Sequence, residues 1–288
     1  MTTRVDMSGK TVLVTGFTSG VGKAAALILA KLGADLALLC RNAEKGRAVI
    51  QEIREQSDCA RIDLLLADLG SQNAIRRAAE EFKASGRPLH VLFNNAGLVS
   101  RRRRITEDGH EVTFAVNHLG PFLLTNLLLD RLRASAPARV VFTGSDAFKL
   151  AGRSIDFDDL HSQKKYRTFV AYGRSKLGNL LFARELARRE SAHDVTANVY
   201  HPGFVATDLG VNDSSFSRVL TKLISPLART PEQGAETGVY LCTDPEVAGV
   251  TGGYFYKNQA YASSNYAERV DVATRLWEVS ADLCGLRE

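Results

Sequence analysis

Residues 11–22 read TVLVTGFTSGVG, and the three glycines in that stretch decide how the whole chain is read. Residues 11–16 (TVLVTG) are a short β-rich run, and residues 21–33 then carry the Ala and Leu content of a helix. Between them Gly16 permits a tight turn, Gly20 lets backbone come close to a pyrophosphate, and Gly22 lets the helix pack on the sheet. The helix N-terminus then offers free amide donors to phosphates. The spacing is G-x-x-x-G-x-G, and glycine turns alone are common in α/β proteins. Placement between the first strand and the first helix is what points to a dinucleotide.

Outward from that turn the chain alternates apolar strands with helical segments. DLALLC (35–40) reads as the second strand, followed by a polar helix to about residue 56. RIDLLLAD (61–68) reads as the third, with Ser71 as N-cap of the next helix. LHVLFNNAG (89–97), ARVVFTGS (138–145), VTANVYHPG (195–203) and GGYFY (252–256) supply four more. Helices are expected over about 109–133, through AYGRSKLGNL and LFARELARRE (171–190), and near 231–242. Strands this apolar are buried on both faces, as a parallel sheet sandwiched by helices requires. The expected fold is α/β, a Rossmann-type doubly wound parallel sheet of about seven strands, with ligands outside the carboxyl ends of its strands. No repeat or Pro/Gly/Ser-rich linker divides residues 1–288, so one domain is the economical reading.

Composition narrows the function. Hydrophobic residues at 45% and charged residues at 24% are those of an ordinary globular protein. No run of about 18 apolar residues exists to span a membrane. No apolar stretch precedes the first strand, so neither a secretory signal nor an N-terminal anchor is expected. Cys40, Cys59, Cys242 and Cys284 are scattered without metal-ligand or disulfide spacing, which fits reduced thiols in a cytoplasmic protein and no metal. The net charge of +5 is mildly basic and favours a polyanionic cofactor. The arginines at 101–104 have no interleaved aromatics, so they read as solvated surface and nucleic acid is not an expected partner.

The end of the second strand selects the dinucleotide. An NAD site usually places Asp or Glu there for the ribose 2′-hydroxyl. Here the strand ends Leu39-Cys40-Arg41-Asn42, with no carboxylate, and Arg41 can grip a 2′-phosphate with its planar fork. NADP(H) is therefore expected. On the later helix Tyr172 and Lys176 lie four residues apart on one face beside Ser175, a spacing that on most helices is only a packing contact or a solvated face.

TGFTSGVG (15–22), NNAG (94–97), Asn117 within VNHLGPFLLT (116–125), GSDA (144–147), YGRSK (172–176) and HPGFVAT (201–207) occur in that order. With them the chain resembles the short-chain dehydrogenase/reductase family over nearly its whole length. CRNAEKG after the second strand, NHLGPFLLT and the closing LWEVSADLCGL resemble its retinol-dehydrogenase-like branch, whose members act on apolar alcohols and carbonyls. The resemblance implies that Tyr172 exchanges a proton with the substrate oxygen and that Ser145 hydrogen-bonds that oxygen. It implies that Lys176 lowers the phenol pKa and holds the nicotinamide ribose, and that Asn117 completes a proton relay through water and lysine. Ser145 stands in Gly144-Ser145 where the family often has Ser-Ser. Further cofactor contacts implied are Thr18, Ser19, Val21, Asn42, Leu69, Asn94, Ala96, Gly97, Pro202, Gly203, Val205 and Thr207. Asp68 is either a contact to the adenine ring or a polar cap before the next helix. His201 is expected to be structural.

Substrate contacts are expected at Ser145 and Tyr172, with a lid at 204–230. Apolar residues from Phe204 to Ile224 recur there at near-helical spacing. No cationic cluster in that segment would hold a carboxylate or phosphate, so the expected substrate is a neutral, apolar small molecule. The implied function is NADP(H)-dependent interconversion of carbonyl and alcohol. The alternatives are a ketoreductase of secondary metabolism, a fatty-acyl or quinone reductase, and a non-catalytic NADP(H)-sensing scaffold. A homo-oligomer is compatible with all of them.

Overall fold

The computed structural model describes residues 5–59, 61–151, 154–205 and 228–286. Strands β1 (Thr11–Thr15), β2 (Asp35–Cys40), β3 (Ile62–Leu66), β4 (Val91–Asn94), β5 (Ala138–Thr143), β6 (Val195–Tyr200) and β7 (Tyr254–Tyr256) run parallel. A short β8 (Gln259–Ala260) adds antiparallel to β7, and the sheet order is β3-β2-β1-β4-β5-β6-β7-β8. The order reverses between β1 and β4, the place where a doubly wound sheet opens a crevice at its carboxyl edge. The eighth strand is an addition to the seven expected; its two exposed residues carry no apolar pattern.

Side-chain alternation divides the core between the two faces. Leu13, Leu39, Leu92 and Phe142 point to one face, against α3 (Gln72–Ala84), α5 (Gly120–Leu127), α7 (Thr168–Arg189) and α9 (Val270–Leu283). Val14, Leu38, Phe93 and Val141 point to the other, against α1 (Gly20–Lys31), α2 (Ala43–Gln56) and α8 (Pro231–Thr243). Ser71 caps α3 as expected, accepting from the Ala74 amide. Among the described residues no helix is long and apolar enough to cross a membrane, and no group of His, Cys, Asp and Glu could hold a metal ion.

The single helix expected over 109–133 is broken into pieces, and the break matters. A three-residue turn α4 (Val112–Phe114) runs into a π-helical turn over Ala115–Leu119, then α5, then α6 (Leu129–Ala134). The Gly120 amide reaches back five residues to the Ala115 carbonyl. Pro121 has no N–H to offer the Asn117 carbonyl, so the ordinary four-residue ladder fails at that point. Asn117 sits at the centre of the widened turn. Helix α9 has no counterpart among the expected elements.

Candidate active site

The glycine turn is held open by its neighbours. Gly16 and Gly20 adopt φ of 71° and 53°, a region that favours glycine. A Cβ on Gly16 would lie 2.7 Å from Ala96 Cα, and one on Gly22 would collide with the Asn95 amide and the Gly16 carbonyl. Asn95 staples the turn in place. Its Nδ2 donates to the Thr15 and Gly16 carbonyls at 3.1 Å each, and its Oδ1 accepts from the Thr143 hydroxyl at 3.1 Å. At the start of α1 the Ser19 side chain makes no capping bond, and the first turn holds no acid. The amide donors there remain available to an anion, which suits a pyrophosphate.

One cleft of about 340 Å³ runs from this turn to the ends of β4 and β5. It is lined by Gly16, Thr18, Ser19, Gly20, Val21 and Gly22 at one end and by Ser145, Tyr172, Lys176, Pro202, Gly203 and Val205 at the other. Arg41, Asp68, Leu69, Ala96 and Gly97 line it between. Arg41 is exposed, with one guanidinium nitrogen 3.5 Å from Asp68 Oδ2. Asp68 also accepts from the Gly70 amide at 2.8 Å, so it stabilises the turn before α3 while facing the cleft. Two expected contacts lie elsewhere. Asn94 is buried and donates to the Thr125 hydroxyl at 3.1 Å, and Asn42 caps α2 by accepting from the Lys45 amide at 2.9 Å. Strand alternation turns Asn94 inward and leaves Asn95 facing the cleft. Thr207 and residues 206–227 of the expected lid lie outside the described residues.

At the other end of the cleft, α7 brings Tyr172 and Lys176 onto one face. The Lys176 ammonium is buried, donates to the Thr143 carbonyl at 2.8 Å and lies 5.7 Å from the centre of the Tyr172 ring. Burial pushes it down to about 8. Burial also raises the Tyr172 phenol above its ordinary value near 10, and a hydrogen bond with Ser145 pulls it back in part. Desolvation of the half-buried ring is thus the larger influence on Tyr172, with Ser145 opposing it.

Asn117 is fully buried and locked on both sides. Its Oδ1 accepts from the Leu98 amide at 2.8 Å, while its Nδ2 donates to the Leu98 carbonyl and the Ser175 hydroxyl, each at 2.9 Å. Ser175 in turn donates to the Tyr172 carbonyl at 2.7 Å. A Cβ on Gly97 would sit 3.4 Å from both Asn117 Oδ1 and Lys176 Nζ, so these two polar groups face each other across that glycine. Ser175 therefore joins the helix carrying Tyr172 to the π-helical turn. Behind it His118 Nε2 lies 2.9 Å from the Ser280 hydroxyl, tying α9 to the same turn. His201 stacks on Tyr256 at 5.2 Å between ring centres, a packing role.

A doubly wound sheet with a glycine turn, an uncapped helix start and a Tyr–Lys pair in one cleft defines a dinucleotide-dependent oxidoreductase. The family model for short chain dehydrogenases matches residues 10–217, and the chain belongs to that family, whose members bind a nicotinamide cofactor and act on alcohols or carbonyls. It is 42% identical over 286 residues to retinol dehydrogenase 12 of Mus musculus, covering 99% of this chain and 90% of that one. It is 43% identical over 289 residues to retinol dehydrogenase 13 of Homo sapiens, covering 98% and 87%. Among solved structures, an uncharacterized protein from Mycobacterium paratuberculosis superposes with a TM-score of 0.78 at 27% identity, covering 98% and 95%. A short chain dehydrogenase from Burkholderia cenocepacia, solved in complex with NADP, gives 0.68 at 25% identity, covering 86% and 96%.

Proposed function

We propose that the protein is an NADP(H)-dependent oxidoreductase that interconverts apolar carbonyl compounds and the corresponding alcohols, working through Ser145, Tyr172, Lys176 and Asn117. The observation that carries this reading is the convergence of Tyr172, Lys176 and Ser145 at one end of the cleft whose other end is the glycine turn. When bound, the cofactor supplies the hydride; every other requirement falls to the side chains.

The uncapped first turn of α1, with Ser19 and Gly20, would take the pyrophosphate, and Arg41 the 2′-phosphate. Arg41 would have to turn from Asp68, a weak exposed pair at 3.5 Å that costs little to break. The absence of an acid at the tip of β2 and the NADP in the Burkholderia structure both support the phosphorylated dinucleotide. Ser145 Oγ and the Tyr172 hydroxyl form the polar pair that would hold a substrate oxygen. A phenol raised by burial is protonated at neutral pH and suited to give its proton to an oxygen that gains charge. Lys176, pushed down to about 8 and set beside the ring, can pass a proton toward Tyr172. Asn117 holds the Gly97–Leu98 backbone and, with Lys176, frames the gap at Gly97 that a relay water would use.

An apolar substrate is supported by the retinol dehydrogenases of similar sequence, whose names point to a long apolar alcohol. The test is cofactor oxidation followed at 25 °C against a panel of apolar aldehydes, ketones and quinones, with NADPH and NADH side by side. Turnover of apolar aldehydes with NADPH supports the reading. Turnover only with NADH, or only of polar substrates, overturns it.

A further inference from the structure

Ser145 follows β5 and opens a short turn. Its Oγ accepts from the Ala147 amide and its carbonyl from the Phe148 amide, each at 3.1 Å, and residues Asp146–Ala151 wind into a 3₁₀ helix. The Ala147 amide takes one acceptor site of Oγ, which leaves the hydroxyl hydrogen for Tyr172 or a substrate oxygen. On one side the turn rests on the backbone of α7. A Cβ on Gly173, next to Tyr172, would collide with the Ala147 carbonyl and lie 3.0 Å from the Ala151 nitrogen. Short 3₁₀ helices have poor bonds of their own, so the support on the other side decides where Ser145 sits.

That support is Tyr254 of β7. Its ring packs on Gly144, where a Cβ would lie 2.6 Å from Val199 Cγ1 and 3.3 Å from Tyr254 Cε2. The same ring meets Phe148 edge-on at 5.5 Å between centres, and its hydroxyl donates to Asp146 Oδ1 at 3.1 Å. One buried side chain thus touches residues 144, 146 and 148, on both sides of Ser145. Glycine at 144 admits the ring; a serine there would push Val199 or Tyr254 away.

The second carboxylate oxygen is engaged as well. Asp146 Oδ2 accepts from the Lys149 ammonium at 2.8 Å and from the Tyr261 hydroxyl at 3.4 Å. Tyr261 reaches it because the β7–β8 hairpin turns the chain back, its amide donating to the Tyr254 carbonyl at 2.6 Å. Burial opposes ionisation of Asp146, but Lys149, His201 and Tyr254 together outweigh it and hold the carboxyl below the ordinary carboxylate range. A charged acceptor strengthens the bond from Tyr254. Ser145 is among the described residues that line the cleft, and Asp146, Lys149, Tyr254 and Tyr261 are not. Their route to the reaction is therefore Ser145.

We propose that Tyr254 and Asp146 are positioning residues for the reaction, together fixing Ser145 so that its hydroxyl meets the substrate oxygen beside Tyr172. This rests on Ser145 holding that oxygen.

The test is a double-mutant cycle in turnover of an apolar aldehyde at saturating NADPH. Ser145→Ala alone should lower kcat by about 10²-fold, the scale for removing one donor to a developing oxyanion. Tyr254→Phe and Asp146→Ala should each lower kcat by about tenfold or more, since a misplacement of about 1 Å can cost about 10²-fold. Asp146→Asn, which keeps an acceptor for Tyr254, should recover most of the rate. Added to Ser145→Ala, Tyr254→Phe should cost less than about twofold, because the group it positions is gone. NADPH affinity should hold in every variant. A Tyr254→Phe loss that is the same with and without the Ser145 hydroxyl would mark a general loosening and overturn the proposal, as would a Tyr254→Phe variant with the full rate. Full turnover by Ser145→Ala would instead remove the role of Ser145, and this proposal with it. A second readout needs no turnover: in Tyr254→Phe and Asp146→Ala, hydrogen exchange at the Ala147 and Phe148 amides should quicken while β1 and the glycine turn keep their protection. Unchanged exchange at those two amides would overturn the proposal.

Discussion

His118 offers a prediction that can be worked through from structure to instrument. Its ring is fully buried among Phe114, Phe122 and Phe182, with Nε2 on the Ser280 hydroxyl. Burial lowers its pKa from 6.5 to about 4, so the folded protein keeps it neutral. The unfolded chain protonates it near 6.5. Between those two values the unfolded state binds the extra proton, so stability is full above about 6.5 and falls as the pH drops toward 4. Going from pH 7 to pH 4.5 should remove about 2.5 kcal/mol through this one residue, from a shift of about 2.5 pH units at 1.36 kcal/mol each, not quite complete at 4.5. For a chain of this size that corresponds to about 5–10 °C in melting temperature. Other groups titrate over the same range, so the readout is the difference between wild type and His118→Gln, melted by fluorimetry at both pH values. Glutamine keeps a donor for Ser280 but has no proton to gain. The variant's melting temperature should fall with pH by about 5–10 °C less than the wild type's. Parallel shifts for both proteins would show that His118 does not titrate as its burial dictates.

Two further outcomes are expected. Arg41→Ala should weaken NADPH by about 1.5–3 kcal/mol while leaving NADH nearly unchanged, the range for hydrogen bonds to charged groups, as measured by fluorescence titration of both dinucleotides; equal weakening would make Arg41 merely structural. Gly22→Ala should cost about 1–3 kcal/mol of stability and loosen dinucleotide binding, because the new methyl meets the Asn95 amide and the Gly16 backbone and neither can retreat; calorimetry that finds stability and binding both unchanged would mean the turn is more pliable than its two bonds to the Asn95 side chain imply.

The parallel sheet and the glycine turn were legible because both are written in local signals: apolar runs of strand length, and glycines where the backbone must turn with positive φ. Tyr172 and Lys176 stood out as a pair through helical spacing, but their roles, like that of Ser145 after β5, came from the resemblance to the family and not from the spacing. Other parts needed the third dimension. Asn94 and Asn95 are neighbours in one NNAG motif, and only strand alternation decides that the first is buried against Thr125 while the second faces the cleft. The break at Asn117 could have been suspected from Pro121, whose missing N–H removes one rung of the helix, but the long apolar periodicity around it concealed the signal. Tyr172's raised pKa depends on how deeply the ring is set, which no spacing reveals. Arg101 and Lys164 are more than sixty residues apart, and three hydrogen bonds contributed by Tyr166, Thr168 and Arg103 make them one surface.

The central claim is that Tyr172 gives the substrate oxygen its proton from a site otherwise already assembled by Lys176, Asn117 and Ser145. Tyr172→Phe tests it with the loss of one hydroxyl and almost no volume. NADPH affinity should hold within about twofold, because the glycine turn, Arg41 and Lys176 are untouched. Turnover with NADPH and an apolar aldehyde should fall by about 10²–10⁴-fold, the usual contribution of a general acid. A variant that binds NADPH normally and keeps more than about a tenth of the wild-type rate would contradict the account.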